Sequence, residues 1–177
     1  MALETAFQDL QGQFQKLRDV LFGLHMTVIE DRPLQDDVAL VDKFGDAAAD
    51  LLGWLQEALT AATEGQQAVG HPTDVNQARR ALTICQERFN RVTHRFSTDL
   101  MSYERIAELV SLGSERQGEW PTWTSSVKEG LDRCQQPFYD VNQALFLCWQ
   151  EIAERVGMNS VSVQTKSVGQ QIYVVPE

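Results

Sequence analysis

Residues 3–28 read LETAFQDLQGQFQKLRDVLFGLHMTV. Within this stretch Leu3, Phe7, Leu10, Phe14, Leu17, Leu21, Leu24 and Val28 succeed one another by alternating steps of four and three. A helix turns once every 3.6 residues, so this spacing gathers the large apolar side chains into one seam along a single helix face. Gln8, Asp9, Gln11, Gln13, Lys16 and Arg18 fall off the seam and face water. A single apolar stripe is not stable alone. Burying each Leu or Phe contributes about 1.5–3 kcal/mol, and that gain requires other helices to pack against.

Working outward, Arg32-Pro33 stops the first helix, because proline restricts the residue before it. Asp36 or Asp37 is suited to cap a second helix, whose seam is Val41, Phe44, Ala48, Leu51, Leu55 and Ala58. That run dissolves through Glu64-Gly65-Gln66-Gln67 into Gly70-His71-Pro72, a loop by composition. Thr73 or Asp74 reads as the cap of a third helix, with Val75, Ala78, Leu82, Cys85, Phe89, Val92 and Phe96 on its seam. The spacing carries this helix on through Leu100, Tyr103, Ala107 and Val110 after a stutter at Phe96, with Gly113 as its C′ residue. A fourth helix opens near Trp120-Pro121 and runs through Val127, Leu131, Cys134, Phe138, Val141, Leu145, Cys148 and Ile152. Pro137 lies inside it and predicts a bend, or two helices with a short joint.

Four such helices joined by short loops predict an all-α fold, an antiparallel four-helix bundle with its last helix kinked near Pro137. Residues 1–159 form this expected bundle. From residue 160 to residue 177 the texture changes: Ser160-Val161-Ser162-Val163-Gln164-Thr165 alternates polar and β-branched residues, and Ile172-Tyr173-Val174-Val175 is β-prone. An extended or β-hairpin-like C-terminal tail is expected. It has three destinations: its own bundle, another copy, or the sheet edge of a partner. Val161, Val163, Thr165, Ile172, Tyr173, Val174 and Val175 are its candidate partner-binding residues.

Hydrophobic residues at 43% are enough for a core, and the net charge of −10 argues against nucleic acid and anionic lipid as partners. No stretch is apolar enough for a membrane span, and Met1 to Gln13 lacks the basic start and apolar run of a secretory signal. Cys85, Cys134 and Cys148 all fall on helix seams, which reads as reduced core thiols in a cytoplasmic protein.

The motifs of catalysis and metal binding are missing. None of His25, His71 and His94 has a Glu three residues before it, which removes the helical di-iron pattern. Zinc-ligand spacings, phosphate-binding glycine loops and serine elbows are also lacking, so neither cofactor nor metal is expected. His94 stands two turns beyond Cys85, too far for a nucleophile and its base on one helix.

Arg88, Arg91 and Arg95 form a stripe that suits an anion or an acidic partner, and Asp42, Asp46 and Asp50 step along the preceding helix. The plainer reading is that the two stripes complement each other across neighbouring helices. Trp120 and Trp123 either staple the helix entrance or anchor a partner, and Phe22, Trp54, Phe146 and Trp149 lie off the seams. The leading expectation is a non-enzymatic adaptor or assembly module binding proteins through its tail and helical surface. The alternatives are an acidic inhibitor or chaperone, immunity-type, of a basic protein, and a small-ligand sensor in the bundle core near Pro137.

Overall fold

The computed structural model describes residues 2–33, 38–70, 72–156, 163–168 and 171–176. Six helices form among them: α1 (Leu3–Glu30), α2 (Ala39–Ala68), α3 (Val75–Asp99), α4 (Tyr103–Glu115), α5 (Trp120–Arg133) and α6 (Gln135–Arg155). The body is helical, as the periodicity predicts, but the third and fourth expected helices are each divided in two.

Both divisions have local causes. At the end of α3 the amides of Leu100 and Met101 both donate to the Phe96 carbonyl, at 3.0 and 2.8 Å, which closes the helix. The Ser102 hydroxyl then accepts from the Arg105 amide at 3.2 Å and starts α4 in a new direction. The seam drawn through Tyr103, Ala107 and Val110 is therefore not a core seam: all three are exposed, and Leu109 is the buried residue of α4. Nor does Gly113 end a helix. It lies inside α4 against Thr124, and among the described residues the positive-φ glycine is Gly118 (φ 77°), in the loop before α5. The other division falls at Cys134, so Pro137 enters the first turn of α6, where no N–H is required of it.

Asp74 caps α3, its carboxylate accepting from the Gln77 amide at 3.0 Å. The cap expected at Asp36 or Asp37 lies outside the described residues, and α2 starts after Val38 with no side-chain cap. At its far end α2 runs through Gly65 to Ala68 rather than dissolving at residue 64. The missing side chain at Gly65 makes room for the Phe7 ring, which carries the helix past the point where composition alone ends it.

Cross-helix contacts fall in antiparallel order. Gln11 bonds Thr63 while Arg18 bonds Gln56; Arg88 pairs with Glu57 while Arg95 pairs with Asp50. Trp149 reaches Gln86 while Phe138 meets Phe96. In the half of the molecule built from α1, α2, α3 and α6 the ring closes: α1 touches α2 and α6, and α3 touches the same two. Its centre is a file of rings, Phe14 to Phe89 (6.3 Å), Phe89 to Phe138 (6.0 Å) and Phe138 to Phe96 (4.7 Å). At the other end α5 continues beside α1, and α4 packs on α5.

Two strands follow, β1 (Val163–Val168) and β2 (Gln171–Pro176), paired antiparallel with Val163 opposite Pro176 and Val168 opposite Gln171. The backbone of this hairpin lies beside α6 and α3. Among the described residues no helix is long and apolar enough to cross a membrane.

Candidate docking surface

The residues singled out by sequence spacing separate into three groups. The arginine stripe is turned toward α2 and its own helix. Arg95 donates to Asp50 at 3.0 Å and pairs with Asp99 at 2.9 Å; Arg88 pairs with Glu57 and Glu87. Arg91 pairs with Glu87 and holds its guanidinium 5.5 Å from the centre of the Trp54 ring. Charge on α3 is thus met by charge on α2, and the acidic stripe of α2 is divided. Asp50 is engaged by Arg95, Asp42 lies 3.8 Å from Arg32, and Asp46 is exposed.

The tail residues form the second group. Val163 and Thr165 stand on β1; Ile172, Tyr173, Val174 and Val175 stand on β2; Val161 lies outside the described residues. Register places Thr165 opposite Val174 and Lys166 opposite Tyr173.

The third group holds the reactive side chains. Cys85, Cys134 and Cys148 are free and buried. Burial pushes the Cys85 and Cys134 thiols up to about 12 and raises Cys148 as well, which favours the neutral thiol at neutral pH. No cluster of His, Cys, Asp or Glu able to hold a metal occurs among the described residues. Trp120 and Trp123 are buried edge-to-face at the entrance of α5, with ring centres 5.5 Å apart.

The surface that spacing missed lies at the open end of the body. α4 turns inward through Leu109, with Ile106 and Leu112 half-buried beside it, and presses Gly113 onto Thr124 of α5. Among the described residues α4 forms no packed interface with α2. A groove of about 760 Å³ separates the two helices. Val38, Ala39, Leu40 and Lys43 line one wall, at the start of α2. The other wall belongs to α4 and its C-cap Arg116: Leu112 is apolar there, and Glu104, Glu108 and Glu115 share one helix face, with Arg116 and Lys43 as the basic residues of the lining. Tyr103, 91% exposed, and Ala107 form the lip.

Elsewhere Val110 on α4 is 52% exposed, and on α1 Phe22, Met26 and Ile29 are open to water, Ile29 resting on Gly45 of α2. The acidic row of α4 was visible in the sequence as Glu104-x-x-x-Glu108 followed by Glu115. The apolar spacing of Tyr103, Ala107 and Val110 drew the seam onto the wrong face instead. Comparison with known proteins finds no family model, no curated protein and no solved structure that this chain matches.

Proposed function

We propose that this chain is a non-enzymatic adaptor module that binds another protein through the helical surface at its open end, with the C-terminal hairpin as a second contact. The α2–α4 groove carries the proposal. It is a gap of about 760 Å³ with apolar and charged walls, rimmed by an exposed tyrosine, in a body whose other half is closed on itself. Large exposed aromatics beside such gaps are the side chains that anchor partners. In this reading the helices form four antiparallel columns, two of them broken, and serve as a rigid scaffold. The net charge of −10 supports the closely related reading of an acidic binder for a basic protein. The sensor reading has less support, because the region around Pro137 is filled by Phe89, Phe96 and Phe138.

A photo-crosslinking amino acid placed at Tyr103 tests the proposal in native lysate, with Lys16, exposed on α1, as the control position. The expected result is a discrete protein adduct at position 103 that is absent at position 16. The same experiment on a chain ending at Val156 measures the hairpin's share through the drop in adduct yield. Equal labelling at 103 and 16 overturns the proposal.

A further inference from the structure

We propose that the seam between α3 and α6 is a docking groove for an uncharged extended chain segment, and that the molecule's own C-terminal hairpin fills it in cis. This site is separate from the α2–α4 groove and does not depend on the function proposed for that groove.

The polar pattern of two helices marks the seam. On α3, Gln86, Thr93 and Ser97 follow one another by steps of seven and four, which places them on one helix face. All three are buried, at 3%, 0% and 4% exposure. Arg88 and Arg95 turn toward α2 on the other flank, whereas Gln86 accepts from the Trp149 indole of α6 at 3.1 Å. On α6, Gln135, Asn142 and Trp149 recur by sevens, and Asn142 is 2% exposed. Burying amides and hydroxyls is unfavourable unless they are hydrogen-bonded. Gln86 donates to Asn90 at 2.9 Å, and neither it nor Ser97, Gln135 or Asn142 is left without a partner.

Helix against helix does not account for this stripe. α3 and α6 are the least closely packed neighbours in the four-helix ring, and their core contact is apolar, Phe138 with Phe89 and Phe96. The hairpin lies beside both: the backbone of β2 flanks α6 and α3, and that of β1 flanks α3. A two-stranded sheet has two edges, each leaving backbone N–H and C=O groups without a strand partner. Amides and hydroxyls, which donate and accept without charge, are the side chains suited to such an edge. Residues 160–177 match the seam in charge, since Lys166 and Glu177 cancel in a chain otherwise strongly acidic.

The occupant is exchangeable. Two strands alone are marginal in water, so the hairpin depends on the seam for its order. The core does not depend on the hairpin, because the file of Phe14, Phe89, Phe138 and Phe96 joins α1, α3 and α6 beneath it. A partner's extended segment reaches the groove by displacing the hairpin, against the advantage that tethering gives the segment already in place.

The experiment inserts a protease recognition sequence after Val156 in the full chain and cuts it once the protein has folded. The probe is a labelled synthetic peptide of residues 160–177, with a scrambled peptide of the same composition as control. Fluorescence anisotropy measures binding, and hydrogen exchange read by mass spectrometry locates it. The probe is expected to replace the cut fragment, to protect residues 86–97 and 135–149, and to bind the uncut chain about tenfold more weakly or worse. Added salt should change its affinity little, since the seam is uncharged. Asn142→Leu is expected to weaken the probe about tenfold with the helical circular dichroism unchanged. Equal binding to cut and uncut chain, equal binding of the scrambled peptide, or protection confined to another face overturns the proposal. So does a fragment that never exchanges, or a body that loses its helical signal on cutting, since either makes the hairpin a fixed part of the core.

Discussion

Phe7 lies against the bare α-carbon of Gly65, and that contact sets what position 65 accepts. A Cβ there would overlap the ring, with Cδ1 at 2.9 Å. Overpacking of this kind costs about 1–3 kcal/mol, and the gain in helix propensity from Gly to Ala is only about 1 kcal/mol. Gly65→Ala is therefore expected to lower the urea midpoint. Gly53, on the same helix, has nothing within 4 Å of its would-be Cβ, so Gly53→Ala takes the propensity gain without the clash and raises the midpoint. Identical substitutions with opposite signs make a clean comparison by equilibrium unfolding. The sequence carries no mark separating the two glycines. Gly65 looks like a helix breaker in Glu64-Gly65-Gln66-Gln67 until the Phe7 ring is seen to need its space.

Among the elements, α3 and α4 differ most in how they are held, although serine and aspartate caps start both by the same chemistry. α3 buries Leu82, Cys85, Phe89, Val92 and Phe96 in the closed half; α4 buries Leu109. Removing either cap is worth about 0.5–2 kcal/mol to its helix. Asp74→Ala is expected to appear in global unfolding, because α3 cannot open without the core. Ser102→Ala is expected to leave global stability almost unchanged and to speed hydrogen exchange across residues 103–115. Equal effects on global stability would mean that α4 unfolds only with the whole body.

Periodicity located the α3 seam because each of its residues meets a neighbour. It failed across residues 97–102 because a run of three-and-four steps continues through a break if both pieces are helical. Ser97, Thr98, Asp99 and Ser102, all poor formers of helix interiors, are the signal that marks the break.

At the scale of the whole molecule the three thiols report on opening. Folded-state values of about 12 for Cys85 and Cys134 lie above the ordinary value near 9, because burial disfavours the thiolate. The folded state therefore holds these protons more tightly than the unfolded one. Their stabilising effect is complete below pH 9 and is lost as pH rises from 9 toward 12. The melting temperature is expected to fall over that interval, and a thiol reagent at pH 8 should modify the native protein at the rate of its unfolding. Rapid modification of even one cysteine in the native state would show that its cover opens locally.

Helical class and buried cysteines were legible from the chain, because both follow from one-dimensional spacing. The groove was not. It depends on which columns touch, and nothing in the spacing of α2 or α4 states that they stand apart.

α1 is the helix that touches α2, α5 and α6, and this placement fixes an order of events during synthesis. Its closing neighbour α6 begins at Gln135, more than a hundred residues after α1 ends at Glu30. At about 5–20 residues per second a ribosome takes roughly 5–20 s to cover that distance. Throughout it Phe7, Leu10, Phe14 and Leu17 have no complete burial site. α1 is made well before the neighbour that seals it, so a nascent chain of this protein presents an apolar stripe to whatever waits at the ribosomal exit.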